Sequence, residues 1–390
     1  MSGRFNLKIL LLLSAGHCVV DIYQGALPAV LPFLKEALGL NYTVAGVILI
    51  MANITSSILQ PVFGYVSDKK EKPLLLPVGV LGAGVGFALL SLPSTLLPVL
   101  MLVMLSGLGI AAYHPEGYKT AYFHTGPRAA TGMSVFSVGG NAGMALGPII
   151  AIPVVSYFGF GALPVVMLPA LLFAAVITYL RKEITIPEHL QHEKEGRDGK
   201  PGKAAYLSLA LVVSVVVMRS WMQMGLLSYI PFYYINHLKG DAVYAGQLIS
   251  IFLLGGAVGT LAGAPLADRW GYRFFICLSM AVAALTFPLI FLFERFPLLL
   301  SLTLFWLGMI LVSTFSVTVV MSQRLLPKSL GIASGLTTGF AIGAGGIGVT
   351  LLGIVADRYG VPFALKSIFI FPVVGFLLAL ILKNPVRGKA

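Results

Sequence analysis

The chain has 390 residues, 58% of them hydrophobic and only 10% charged, with a mean hydropathy of +0.94. Soluble domains carry about 25% charged residues, so this composition excludes a water-soluble globule. The net charge of +12 comes from Lys and Arg placed between apolar runs and gives no reason to invoke nucleic acid.

Helical spans that can cross a ~30 Å hydrocarbon core need ~20 residues. The apolar runs predict them at 7–34, 41–66, 74–92, 95–122, 130–157, 161–180, 205–236, 242–267, 273–293, 297–322, 329–356 and 361–382. The expected fold class is an all-α polytopic membrane protein with twelve transmembrane helices. The first run follows Arg4 and Lys8 but continues past Asp21 without a small-residue cleavage site, so it reads as a retained span. Cys18 and Cys277 both fall inside apolar runs, which suggests neither a disulfide framework nor a metal cluster. The polar interval from Arg181 to Lys203 separates six spans from six. It divides the chain into an N-terminal six-helix bundle (1–182), a linker (183–204) and a C-terminal six-helix bundle (205–390). His189 and His192 of the linker show no ordered ligand spacing, and no metal or cofactor is expected.

Lys and Arg concentrate in cytoplasmic loops. With the N-terminus in the cytoplasm, only Lys35, Lys239, Arg295 and Arg358 fall in outer loops, so both termini and the linker are expected inside. The halves are internally related. Gln24 and Gln223 are 199 residues apart, as are Leu31-Pro32-Phe33 and Ile230-Pro231-Phe232; Asp68 and Asp268 are 200 apart. Two pseudo-symmetric six-helix bundles of this kind imply a pathway at their interface. A finer repeat, Asp268-Arg269-Trp270-Gly271 against Asp357-Arg358-Tyr359-Gly360, falls on opposite sides of the membrane and points to inverted three-helix units.

Ionisable groups inside spans cost at least ~2.5–3.5 kcal/mol and need a reason to be there. His17, Asp21 and Gln24 share one face of the first helix at i, i+4 and i+7. Asp21, somewhat past mid-membrane, reads as a proton carrier or as an ion-pair partner for Arg219 of the seventh span. His114 and Glu116 on the fourth span lie about 200° apart round the helix, so they share a face only if Pro115 distorts it. His114 suits a coupling role because it titrates near neutral pH. Glu116 reads as a coupling acid or as a partner of Lys119 or Lys69. Arg219 is the natural counter-charge for an anion, which guanidinium grips with two parallel bonds. Gln24, Asn141 and Gln223 add neutral hydrogen bonds, with Tyr23, Tyr113, Trp221 and Tyr229 as wall or as plain packing. Gly139, Gly143 and Gly147, then Gly331, Gly335, Gly339 and Gly343, recur every four residues and allow close helix approach.

Across its length the chain resembles the major facilitator superfamily. Gly64-Tyr-Val-Ser-Asp68-Lys69-Lys70-Glu71-Lys72 looks like that family's loop signature after the second helix, and Asp268-Arg269-Trp270-Gly271-Tyr272-Arg273 belongs to its second copy. The resemblance implies that Asp68 latches a cytoplasmic gate against the positive end of the eleventh helix. Gly147-Pro148 resembles the end of the superfamily's antiporter motif, with Ile150-Ala151 where further glycines usually follow. Within the superfamily, His17-Cys-Val-Val-Asp21, Gln60-Pro61 through Asp68, and Tyr113-His114-Pro115-Glu116 are similar to the fosmidomycin-resistance family.

That resemblance implies a bacterial inner-membrane antiporter, proton-coupled and working by alternating access, that confers antibiotic resistance by exporting small polar or anionic drugs such as fosmidomycin. Its partners would be a small-molecule substrate, protons and the lipid bilayer, and it would act as a monomer. A proton-coupled importer of a small organic anion would use the same buried charges. A receptor or sensor on a transporter scaffold would bring an appended signalling domain. No nucleophile and base pattern suggests an enzyme.

Overall fold

The computed structural model describes residues 5–40, 42–69, 73–185 and 203–382, which are helical apart from short turns. In chain order the helices are α1 (Leu7–Ala37), α2 (Val47–Asp68), α3 (Leu75–Ser91), α4 (Leu96–Phe123), α5 (Ala129–Phe158), α6 (Phe160–Tyr179), α7 (Lys203–His237), α8 (Tyr244–Trp270), α9 (Tyr272–Leu292), α10 (Pro297–Leu325), α11 (Leu330–Tyr359) and α12 (Val361–Ile381). All but α3 meet the length and composition of a membrane span, and α3 is a shorter apolar helix. The predicted spans therefore all exist, with α1 running one turn further than expected. Its N-terminus is capped by the Asn6 side chain, which accepts from the Ile9 N–H at 3.3 Å. Asp241 caps α8 in the same way, accepting from the Tyr244 N–H at 2.8 Å. Most of the expected linker, residues 186–202, lies outside the described residues.

The helices group into two compact units. The first holds α1 to α6 together with Leu326–Phe340, which includes the first turns of α11. The second holds α7 to α10, the remainder of α11 from Ala341, and α12.

In the first unit α1 packs along α5 through the glycines picked out by their spacing. A Cβ on Gly139, Gly143 or Gly147 would run into the backbone carbonyl of Ser14, Cys18 or Ile22 respectively. Both partners therefore advance by four residues, as interdigitating i±4 ridges require. Ser14 Oγ donates to the Val135 carbonyl at 2.8 Å across the same seam, and Pro148 follows at its end. Gly335 and Gly339 stand against the α2 backbone at Gln60 and Ser57. Gly343 lies past Phe340, half-buried in the second unit. That unit has its own seam: Gly255 and Gly259 of α8, which with Gly263 also recur every four residues, meet the carbonyls of Phe305 and Met309, and Gly308 meets that of Phe252. Large apolar side chains remain on the outside of each unit, among them Ile50, Val62 and Leu172 in the first and Leu254, Leu302 and Ile381 in the second. Hydrocarbon is the solvent such a surface suits.

Three tight joints share one backbone conformation. Gly159 between α5 and α6, Gly271 between α8 and α9, and Gly360 between α11 and α12 have φ of 82°, 92° and 85° with ψ of 162°, 143° and 158°. Only glycine adopts that region readily. Two of these are the glycines of the short sequence repeat, and the third extends the pattern to the second three-helix unit.

Candidate functional site

The first unit encloses a cluster built from two helices. Asp21 of α1 is buried, with Oδ2 3.3 Å from Nε2 of His17 one turn earlier and Oδ1 3.2 Å from Nε2 of His114 on α4. The opposite ring nitrogens are occupied by backbone. Nδ1 of His17 lies 3.0 Å from the Phe136 carbonyl, and Nδ1 of His114 lies 2.9 Å from the Ile110 carbonyl. A carbonyl only accepts, so each Nδ1 must carry the proton. In a neutral ring Nε2 then presents a lone pair to the Asp21 carboxylate, and Asp21 Oδ1 finds no hydrogen-bond donor. Each contact becomes a hydrogen bond only when a further proton occupies the Nε2–carboxylate line. The arrangement thus has two places where an added proton would complete a hydrogen bond. His17 is held further by stacking on Phe136 at 4.4 Å and by the edge of His114 at 4.8 Å.

The same three ligand atoms lie within 4.8 Å of one another, and two imidazoles with a carboxylate form a set that also suits a divalent transition metal. They would leave a fourth tetrahedral position to come from elsewhere.

Glu116 takes a different direction from His114, as their angular separation on α4 requires. Its Oε1 lies 3.1 Å from Nζ of Lys119, and Lys119 donates to the Ser67 carbonyl at 2.6 Å. Both ends of this ion pair are buried. Next to Ser67, Asp68 accepts from the N–H groups of Gly331 at 2.8 Å and Ile332 at 3.0 Å, the open amides at the start of α11. Gly64 and Gly331 make this reach possible, since a Cβ on either would collide with the other's backbone. One turn further, Thr338 Oγ1 donates to Gln60 Oε1 at 3.1 Å and Gln60 Nε2 donates to the Ser56 carbonyl at 2.8 Å. Lys69 sits 4.2 Å over the Tyr65 ring, while Lys70 and Lys72 lie outside the described residues. In the second copy of the motif, Tyr272 donates to Asp268 at 3.0 Å, Arg273 donates to the Leu380 carbonyl at 2.7 Å, Arg269 is exposed and Gly271 makes the joint described above.

The expected substrate residues are spread over both units. Arg219 of α7 is buried, donates from Nη1 to Thr314 at 3.3 Å and lies 5.4 Å over the Phe315 ring. The three tyrosine hydroxyls are engaged with backbone: Tyr23 with Val166 and Ala170, Tyr113 with Leu13, and Tyr229 with Val349. Trp221 likewise donates to Ala344. Gln24 and Gln223 are half-buried and Asn141 is exposed. A cavity of about 150 Å³ opens among α1 to α4, lined by residues that include Tyr23, Gln24, Asn53, Ser56, Ser106 and Ile110.

Sequence places His17 and Asp21 on one face of α1 but does not bring His114 to them. Phe136 and Ile110, whose carbonyls fix the imidazoles, carry no mark in sequence because the contribution is made by backbone. Gln60 and Thr338 do carry one, as polar side chains inside apolar spans.

A family model described as Major Facilitator Superfamily matches residues 13–346 and 213–389. The chain is 34% identical over 383 residues to an uncharacterized MFS-type transporter, YfnC, of Bacillus subtilis, covering 96% of this chain and 93% of that protein. It is 31% identical over 380 residues to the fosmidomycin resistance protein of Escherichia coli, with the same coverage. Among solved structures, it is similar to the transporter FucP in the outward conformation, with a TM-score of 0.74 at 13% identity, covering 97% of this chain and 99% of that one. The human organic anion transporter MFSD10 gives a TM-score of 0.73 at 16% identity, covering 95% and 98%. Twelve apolar helices among the described residues, a duplicated half, a twice-written loop motif and these likenesses over nearly the whole length agree: the chain belongs to the Major Facilitator Superfamily.

Proposed function

We propose that the chain is a proton-coupled exporter of a small polar or anionic compound, of which fosmidomycin is a fitting test case, and that it works by alternating access. The observation that carries this reading is Asp21 buried between two imidazoles whose other nitrogens are already committed to carbonyls. Such a cluster gains hydrogen bonds by taking up protons and loses them on release, and burial makes both states costly enough to bias a carrier. The 31% identity to a fosmidomycin resistance protein supports the substrate class. Arg219 is the proposed anion partner, with Gln24, Asn141 and Gln223 as neutral contacts, while Tyr23, Tyr113 and Tyr229 are buried with their hydroxyls on backbone and act as packing. Glu116 with Lys119 acts in coupling by communicating with the Asp68 latch through Ser67. In this reading the protein is a monomer of the bacterial inner membrane with both termini in the cytoplasm, and the Asp68 end of α2 is the cytoplasmic gate.

The test is proton movement in inverted membrane vesicles with an acidic interior. Adding fosmidomycin is expected to make the interior more alkaline, and Asp21→Asn is expected to lower that response by at least about 100-fold, the scale on which a proton-transfer group acts. An unchanged response in the variant would remove Asp21 as the carrier. Flux driven only by a gradient of the opposite sense would make the chain an importer.

A further inference from the structure

With Nδ1 of His17 and His114 donating to the Phe136 and Ile110 carbonyls, both Nε2 lone pairs are turned to the Asp21 carboxylate, 3.3 Å from Oδ2 and 3.2 Å from Oδ1. Oδ1 has no donor. Electron-rich atoms gathered in a buried place are costly unless something positive lies between them. Among the described residues, this is the one group of three or more His, Cys, Asp or Glu side chains close enough to hold a metal ion.

The spacing suits such an ion. Ligand atoms ~2.0–2.2 Å from a tetrahedral zinc stand ~3.3–3.6 Å from one another. One ligand atom from each of the three residues lies within 4.8 Å of the others, so closing the widest pair to that edge moves each side chain by at most ~0.7 Å. The outer contacts suit it as well. A metal-bound imidazole almost always donates its other N–H to a carboxylate, a backbone carbonyl or water, which fixes the ring and its tautomer. Both rings do so here, one across to α5 and one back along α4. Gly140 of α5 supplies the room. A Cβ there would stand 2.5 Å from Nε2 of His17 and 2.7 Å from Oδ2 of Asp21. Any larger residue would press on atoms that must turn inward, and glycine leaves that volume for a fourth ligand.

The donors choose the ion. Two imidazole nitrogens with one carboxylate suit Zn²⁺, Co²⁺, Ni²⁺ or Fe²⁺, whereas Mg²⁺ and Ca²⁺ take oxygen and Cu⁺ takes sulfur. The Cys18 sulfur is not among the gathered ligand atoms, and the Tyr113 hydroxyl is committed to the Leu13 carbonyl. Phe136, stacked on His17 at 4.4 Å, and Tyr118, edge-on at 5.8 Å, supply the apolar shell that limits solvent at such a centre.

We propose that His17, Asp21 and His114 form a transition-metal site of the zinc class that ties α1 to α4 inside the first unit, its fourth position on the Gly140 side filled by water or a small anion. The site goes beyond the proton-coupled reading, does not depend on it, and gives the metal no part in driving flux.

Cobalt is the first probe, because tetrahedral Co²⁺ colours strongly and the hydrated ion only faintly. It is added to the purified full chain in detergent, free of any affinity tag and with His189 and His192 replaced by Ala. A saturable visible band that Zn²⁺ displaces is expected. His17→Gln, His114→Gln and Asp21→Asn are each expected to weaken binding by at least about 100-fold, and Gly140→Ala by at least about tenfold. Zinc-edge X-ray absorption of the same chain with its site residues intact needs none of these variants, so misfolding cannot imitate its answer. The expected shell is four nitrogen or oxygen atoms at ~2.0–2.2 Å, with the outer scattering of two imidazoles and no sulfur. Fewer than two imidazoles, or a cobalt band that survives all three ligand substitutions, would mean adventitious metal and overturn the site. The vesicle assay separates the two readings: no metal site beside an Asp21-dependent response sinks this proposal alone, and a metal site beside a response indifferent to Asp21→Asn sinks proton coupling alone.

Discussion

His17 and His114 touch Asp21 at nearly equal distances, but they are not equivalent. His17 meets four aromatic rings, those of Tyr113, His114, Tyr118 and Phe136, whereas His114 meets two, those of His17 and Tyr113. An aromatic pair adds about 0.5–1.5 kcal/mol beyond area burial, so His17→Gln is expected to lower both proton coupling and thermal stability, while His114→Gln lowers coupling with a smaller stability loss. Unfolding of the two purified variants in detergent, run beside the vesicle assay, checks the split. Sequence alone puts His17 and Asp21 on one face, because a four-residue spacing is local geometry. It cannot deliver His114 to Asp21, since that requires the contact of α4 with α1. It does supply the angular separation of His114 and Glu116, and their different partners follow from it.

The helices meet where glycine lets backbones touch, and the cost of filling such a place is calculable. Gly139→Val is expected to destabilise the α1–α5 seam by about 1–3 kcal/mol, the usual penalty of overpacking, seen as a lower melting temperature with Asp21 left chemically intact. The hold of Asp68 on α11 is a second matter of elements. Two amide donors on one carboxylate are charge-assisted bonds worth about 1.5–3 kcal/mol each, and Asp68→Asn weakens both. An Ile332→Cys thiol at the start of α11 is expected to be alkylated about tenfold faster in the Asp68→Asn background; an equal rate would reduce Asp68 to an ordinary turn cap. The four-residue glycine rhythm makes the α5 and α11 surfaces legible in the residues themselves. The α8 side of the α8–α10 seam carries the same rhythm at Gly255, Gly259 and Gly263, but its partner does not, because Gly308 stands alone in its helix and its match with α8 exists only in three dimensions.

At the scale of the whole chain, composition and span length are sufficient for the architecture, and the repeat is visible as matched residues near one offset. Gly159 is the member that spacing misses: no sequence motif surrounds it, yet it adopts the backbone of Gly271 and Gly360. The membership of Leu326–Phe340 in the first unit is not legible, since nothing in the residues of α11 divides that helix between two bodies. The question of an ion at His17, Asp21 and His114 is also one for the intact transporter. Pretreatment with a membrane-permeant chelator is expected to leave gradient-driven flux unchanged, and loss restored by added zinc would replace the proton by a metal.

The fixed tautomers have an electrical corollary. With both Nδ1 protons committed to carbonyls, the cluster carries a charge of −1 when the Nε2 lines are empty, zero with one proton and +1 with two, so a first proton neutralises the buried carboxylate and only a second leaves net positive charge inside the bundle. A unit charge crossing the membrane potential is worth about 2.3 kcal/mol per 100 mV. In the proposed proton-coupled cycle, voltage alone, at equal pH on the two sides, would therefore bias how full the cluster is, so that the pair of carbonyls that orients two rings would also tie the cycle to the cell's electrical state.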